Sequence, residues 1–503
     1  MSPRGKRTRG FESFPARPLG HAFCMNEPET SAAASAAASM LKSLAAPATL
    51  HRAWLQVRQN RGAPGVDGLT VQAFESQLAH LLALTAKNLL TAHYRPSPLR
   101  AVDIPKPDSS GTRTLGIPTV QDRIVLQAIA EILTPLWEPH FSPYSFAYRE
   151  GRTALDAVLL AQQRLQSGRH WIVDLDIEKF FDNVDHVRLM QRLAQRIEDA
   201  GLLDLIADFL RAGLMRDGVL YPTRVGIPQG SPLSPLLANI VLDELDQEYM
   251  SHGWSFVRYA DDCILLARSE AEAGALLEFT REFLADRLHL RLHPTKTRIV
   301  RPADVGFLGF TYRLGRYGKV SRRITSGSLA SFRRRVAELA RPRRGEALEE
   351  TFRAVADYFR GWAIYYRFTE DRTLLAARAF AGDALRAAAW AHWADPRERH
   401  RQLMRLGVSE ESAREIAFAL DFPGPEDDPP RLRRLLPDSF FEPYGLRIPD
   451  ARPLTLSDQP LTQTLAATPQ SPPARNTPSA RALLLHRIAL RLRLFPPAPP
   501  ERD

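Results

Sequence analysis

Two short apolar segments, each delivering acids, constrain this chain more than any other feature. The first, Trp171-Ile-Val-Asp-Leu-Asp176, reads as a strand that ends by presenting Asp176 and is followed by the bulky pair Phe180 and Phe181. The second, Ser255-Phe-Val-Arg-Tyr-Ala-Asp-Asp-Cys-Ile-Leu-Leu-Ala267, sets Asp261 and Asp262 between two β-rich runs, as in a hairpin whose tight turn carries them. Any turn welcomes a single Asp, but neighbouring like charges weaken a hairpin unless a cation neutralises them. Hard carboxylate oxygens suit Mg²⁺. Between the two segments lies Gly226-Ile-Pro-Gln-Gly-Ser-Pro-Leu-Ser-Pro-Leu-Leu-Ala-Asn239, a Gly/Pro-punctuated loop leading into a helix.

At 503 residues the chain has room for two to four domains and a large core. No apolar run approaches the roughly 18 residues a membrane span needs, so no membrane partner is expected. Two cysteines, Cys24 and Cys263, are too few for a disulfide framework or a Cys-rich zinc site. The formal charge of +10 favours polyanions, and only seven of the 67 cations are lysines. Arginine suits phosphate through bidentate contacts.

Helical and strand segments alternate up to about residue 315, an α+β pattern. From about 327 apolar residues recur at helical spacing (Phe332, Val336, Leu339, then Phe352, Val355, Phe359, Trp362), which predicts a helical domain over 316–450 with its boundary near Gly315 to Lys319. Residues 1–45, arginine-rich and then Ala/Ser-rich, read as a disordered extension. The Pro/Thr/Ser-rich stretch from 451 reads as a linker, and Arg481 to Leu494 as a short basic amphipathic tail.

With the three central elements in order, the sequence resembles the reverse transcriptase/maturase proteins encoded by group II introns. The resemblance covers roughly residues 50–450. It includes Asn60-Arg-Gly-Ala-Pro-Gly-Val-Asp-Gly68, Ile104-Pro-Lys-Pro-Asp108, Arg113-Thr-Leu-Gly-Ile-Pro-Thr-Val-Gln-Asp-Arg123, Phe146-Ala-Tyr-Arg-Glu-Gly-Arg152, His293-Pro-Thr-Lys-Thr297 and Gly306-Phe-Leu-Gly-Phe310. Phe359-Arg-Gly-Trp-Ala-Ile-Tyr-Tyr-Arg367 looks like the start of the family's maturase (thumb) domain, and Arg405-Leu-Gly-Val408 with Phe440-Phe-Glu-Pro-Tyr-Gly-Leu446 looks like its end. The resemblance implies a right-hand polymerase, with fingers and palm over 46–315 and a helical thumb after them. It implies an RNA-directed DNA polymerase that takes dNTPs, an RNA template with a DNA primer, and a group II intron RNA whose splicing it assists. It also implies a cytoplasmic bacterial setting, at the nucleoid when DNA is the target.

In that family the acids matching Asp176, Asp261 and Asp262 hold two Mg²⁺ ions, with Mn²⁺ as a substitute and the Ile177 carbonyl as an extra ligand. Phe181 would exclude a 2′-hydroxyl, a plain core phenylalanine being the alternative. Gln229 would contact the nucleotide sugar, and Lys106 and Arg113 would grip the triphosphate from a fingers hairpin. Lys296 is assigned general acid duty on pyrophosphate, since a lysine gives up a proton where an arginine does not; a solvated surface lysine is the alternative. Arg123, Arg149, Arg152, Arg333, Arg334 and Arg335 are candidates for template or intron-RNA phosphates. Tyr358, Phe359, Trp362, Tyr365 and Tyr366 recur at helical spacing and read as core. Many relatives carry a Cys/His-rich nuclease domain that this sequence is not expected to build, so a nascent strand at a replication fork or a host nuclease would supply the primer. A splicing cofactor with an incidental polymerase site, or a host reverse transcriptase serving phage defence or spacer acquisition from RNA, stays open at this stage.

Overall fold

The computed structural model describes residues 40–105, 111–341, 347–370, 372–405, 408–418, 433 and 436–448. Lys106 and the tail expected from 451 lie outside these residues. The extension expected through residue 45 ends earlier than that. Residues 40–45 are helical, Leu44 is buried, and the Leu41 amide donates to Asp199 Oδ2 at 2.8 Å.

Among the described residues ten strands make three sheets. Strands β1 (Leu99–Pro105) and β2 (Thr112–Ile117) pair antiparallel, with Ile104 opposite Arg113. β3 is Trp171–Leu175, and β4 (Leu214–Arg216) and β5 (Val219–Tyr221) extend the first sheet in the order β2-β1-β4-β5. β6 (Phe256–Tyr259), β7 (Asp262–Ala267), β3 and β8 (Arg298–Val300) form a wholly antiparallel sheet in the order β6-β7-β3-β8. β9 (Phe310–Leu314) and β10 (Val320–Ile324) form a separate hairpin.

Side chains alternate across a strand, so each face of the central sheet has its own core. Val173, Leu175, Cys263 and Leu265 join a large cluster with the helices Val120–Trp137 and Ser234–Ser251. Ile172, Val257, Ile264 and Leu266 point the other way, into a cluster with the β9–β10 hairpin and the helices Ser326–Leu339, Leu348–Tyr366 and Thr373–His392. Each fully buried Leu, Ile or Phe contributes about 1.5–3 kcal/mol. Caps set where several helices begin: Thr119 accepts from the Asp122 amide, Thr153 forms a capping box with Asp156, and Thr325 accepts from the Ser328 amide.

The domain boundary expected at Gly315 to Lys319 falls in the turn between β9 and β10. The region expected to be helical from 316 therefore opens with a strand, and its helices start at Ser326. Helical periodicity is blind to a hairpin of ten paired residues, whose Phe310, Tyr312, Val320 and Ile324 alternate with polar neighbours. The aromatic cluster packs as core: Phe359 is fully buried, Tyr366 nearly so, and Trp362 lies tilted against Phe332 with centroids 4.3 Å apart. Among the described residues no helix is long and apolar enough to cross a membrane.

Candidate active site

β3 and β7 run antiparallel with Leu175 opposite Cys263, so the next step along each chain brings Asp176 level with Asp262. By alternation Asp174, Asp176 and Asp262 share the face of Ile172 and Ile264. Asp261 sits in the β6–β7 turn after Ala260, whose φ of +59° makes the corner tight. Asp174, Asp176, Asp261 and Asp262 line one cavity with Ile177 and Lys296.

The segment after β3 is clamped by the loop that carries Lys296. The His293 amide donates to the Asp176 carbonyl at 2.7 Å, the Asp176 amide donates to Thr297 Oγ1 at 3.2 Å, and the Glu178 amide donates to the Arg291 carbonyl at 2.8 Å. Lys296 Nζ consequently lies 3.4 Å from Asp176 Oδ2, and Arg298 Nε lies 3.4 Å from Asp174 Oδ2.

Burial pushes the Asp262 carboxyl up to about 7, with the charges of Asp174, Asp261 and Asp176 adding to the shift. Burial also raises Asp261, with Asp176 adding. Among the described residues no three acids, histidines or cysteines form a ready-closed metal cluster. The donor set nonetheless fits divalent cations in kind. It offers hard carboxylate oxygens on two strands, and a half-buried acid opposed by burial and by three like charges is one that a cation relieves.

The Gln229 loop forms the opposite wall. Gly226 has φ +91°, and a Cβ there would come within 2.9 Å of the Phe181 and Asp182 carbonyls, so only glycine fits. The Ile227 amide donates to the Phe181 carbonyl at 2.7 Å, and the Gly116 amide to the Gln229 carbonyl at 2.9 Å. His186 Nε2 hydrogen-bonds the Gly226 carbonyl at 2.6 Å; burial lowers the pKa of this imidazole. Phe181 packs edge-on against Phe180 at 5.3 Å. Arg113, Phe181, Gln229, Asp176, Asp261 and Lys296 thus line a single open cleft of about 1200 Å³.

The structure separates the six arginines assigned to RNA. Arg333, Arg334 and Arg335 are exposed on the helix Ser326–Leu339. Arg123 is buried, donates from Nη2 to the Ala63 carbonyl at 2.6 Å, and lines a second cavity behind Gln229. Arg149 is not a free phosphate ligand. Its guanidinium is buried against Glu138 and the Ser142 and Ser145 carbonyls, where a sequence reading sees only another surface cation. Arg152, partly buried, donates to the Pro143 carbonyl and lies over the Phe146 ring.

Two residues of the site escape the sequence reading. Asp174 stands outside the expected catalytic set yet is the strongest charge acting on Asp262. Tyr148 lines the cleft from a left-handed backbone position, φ +61°, and its hydroxyl pKa is raised by burial and by Asp261. Both had a signal: the aspartate lies two residues before Asp176 on a strand, and the tyrosine lies inside the Phe146-Ala-Tyr-Arg-Glu-Gly-Arg152 segment.

Residues 104–312 match the family described as reverse transcriptase (RNA-dependent DNA polymerase), a span that holds every acid above. Residues 329–407, with Arg333 to Arg335, match the group II intron maturase-specific domain. Protein YkfC of Escherichia coli (strain K12) is 32% identical over 56% of this chain and 85% of its own length. The group II intron-encoded protein LtrA of Lactococcus lactis subsp. cremoris is 28% identical over 56% of this chain and 59% of its own. A putative COX1/OXI3 intron 2 protein of Saccharomyces cerevisiae is 32% identical over 39% of this chain and 23% of its own. With an α+β fold around an antiparallel central sheet and a helical C-terminal region, the chain belongs to the reverse transcriptase/maturase family encoded by group II introns and is an RNA-directed DNA polymerase.

Proposed function

We propose that this polymerase works with a group II intron RNA, assisting its splicing and copying RNA into cDNA during mobility by two-metal-ion nucleotidyl transfer. The reading rests on one observation: Asp176 from one strand meets Asp261 and Asp262 from a hairpin at the mouth of a cleft walled by Arg113, Phe181 and Gln229.

Two Mg²⁺ ions, or Mn²⁺ in their place, held by Asp176, Asp261, Asp262 and the Ile177 carbonyl, would activate the primer 3′-hydroxyl for in-line attack and neutralise the departing pyrophosphate. The protein's own groups do the rest. Arg113, exposed on β2, takes the triphosphate through charge-assisted hydrogen bonds. Phe181 and Gln229 seat the sugar, the ring leaving no room for a 2′-hydroxyl. As the 3′-oxygen forms its bond to the α-phosphorus and the bond to the bridging oxygen breaks, Lys296 Nζ supplies the leaving pyrophosphate with a proton. Arg333, Arg334 and Arg335 present a positive face to the backbone of intron RNA, and a host nuclease or a replication-fork strand provides the primer.

The test is primer extension on a primed RNA template with dNTPs and Mg²⁺, beside an Asp261→Ala, Asp262→Ala double variant. Extension by the wild type and its loss in the variant are expected. Equal extension by both would overturn the assignment of the acids, and tight RNA binding without extension by either would leave a splicing cofactor.

A further inference from the structure

Tyr148 stands on a backbone that argues against accident. Its φ of +61° is a left-handed conformation that bulky side chains avoid. Such strain persists only where surrounding structure enforces it, and the enforcement here is explicit. Beneath the loop the Arg149 guanidinium donates to the Ser142 and Ser145 carbonyls at 2.6 and 2.8 Å. Asn239 Nδ2 donates to the Ala147 carbonyl at 2.9 Å, and the Phe146 amide to the Arg258 carbonyl at 3.0 Å.

The same network reaches the catalytic turn. Buried Arg258 pairs with buried Asp246 and donates from Nη1 to Asn239 Oδ1 and to the Ala260 carbonyl, both at 3.0 Å. One cluster therefore holds the residue before Tyr148 and the residue before Asp261.

Core packing does not explain the ring, which is 54% exposed. It faces the cleft beside Phe181, Gln229, Arg113 and Asp261. It also borders the second cavity, and Arg113, Phe181 and Gln229 do the same, so these four form the wall between the two spaces.

We propose that Tyr148 is a nucleotide-contact residue, its ring packing on the base and sugar of the incoming deoxynucleotide opposite Phe181 and Gln229. The proposal rests on the polymerase reading of the cleft. The incoming nucleotide is favoured over the unpaired template base because the residues sharing this wall are those facing the metal acids, and a flat ring with one hydroxyl suits the face of a nucleoside.

The experiment is single-nucleotide incorporation by the full chain on a primed RNA template, comparing wild type with Tyr148→Ala, Tyr148→Gly and Tyr148→Phe. Primer–template affinity and melting temperature are measured in parallel. Loss of one base-stacking ring is expected to raise the KM for dNTP about fivefold to a hundredfold in the Ala and Gly variants, with kcat changed less and primer–template affinity intact. Tyr148→Phe should recover most of that loss. Glycine suits the left-handed backbone, so Tyr148→Gly should melt no lower than wild type and guards against a folding artefact.

An unaltered KM in folded Ala and Gly variants would overturn the proposal while leaving the polymerase standing. So would a defect confined to primer–template affinity, or one that tracks the melting temperature. Failure of the wild type to extend would overturn the reading of the cleft and this contact with it.

Discussion

A carboxyl at Asp262 that titrates near 7 bears on stability as well as on chemistry. In the unfolded chain the group ionises near 4, so between about pH 4 and 7 the folded state binds the extra proton and stability falls as pH rises. The penalty is absent below pH 4 and complete above 7. Asp262→Asn removes it. In thermal melts with a chelator at pH 8 the variant should be more stable than wild type by about 1–4 kcal/mol, with the difference vanishing near pH 4. Mg²⁺ at pH 8 should stabilise the wild type and not the variant. A wild type as stable at pH 8 as at pH 5, relative to the variant, would contradict the burial argument. At this scale the sequence is informative where chemistry is local. Asp261 and Asp262 are legible because two acids in a turn between apolar strands need a counter-charge, and Gln229 because glycines flank it. Arg149 and Tyr148 are not legible, since the burial of a guanidinium against Glu138, Ser142 and Ser145 and the exposure of a ring depend on how the 138–149 segment folds back on itself, which residue type and spacing do not reveal.

Among elements, the β6–β7 hairpin carries a buried ion pair among its buried apolar residues. Arg258 Nε donates to Asp246 Oδ1 at 2.8 Å, and neither side chain touches solvent appreciably. Removing one partner of such a pair strands the other. Arg258→Leu is expected to cost about 3–5 kcal/mol in denaturant unfolding and to depress extension in the surviving folded fraction, because the Ala260 carbonyl loses its donor and Asn239, which holds the Ala147 carbonyl, loses the guanidinium on its Oδ1. Asp246→Asn with Arg258→Leu together should recover part of the stability and not the activity. If the double variant regained both, the network would be mere filling. The strands on either side are readable from their alternating apolar pattern, yet the network is not. It joins a helix, a strand and a loop whose residues lie far apart along the chain.

For the molecule as a whole, charge and architecture separate. The excess of cations favours a polyanion; the fold decides which cations stay exposed. Arg333, Arg334 and Arg335 stay exposed, although Arg335 meets Glu338 at 3.0 Å, Arg334 donates to Ser331 Oγ at 3.3 Å and Arg333 lies over Phe380. Replacing all three with Gln should weaken RNA binding, and the slope of log affinity against log salt should fall by about two to three. The KM for dNTP should stay as it was. A salt slope unchanged from wild type would exclude this helix from the RNA face.

The β9–β10 hairpin has a consequence for inheritance. Its Phe310, Tyr312, Val320 and Ile324 bind the catalytic sheet and the first helices of the C-terminal region into one apolar mass. The place where composition changes is therefore the place where the two regions are least separable. A gene fragment stopping at 315 would keep every acid but bare Phe307, Phe310 and Tyr312 to water. Substitutions are expected to tune copying and RNA handling apart, yet recombination at that seam is expected to pass on neither one intact.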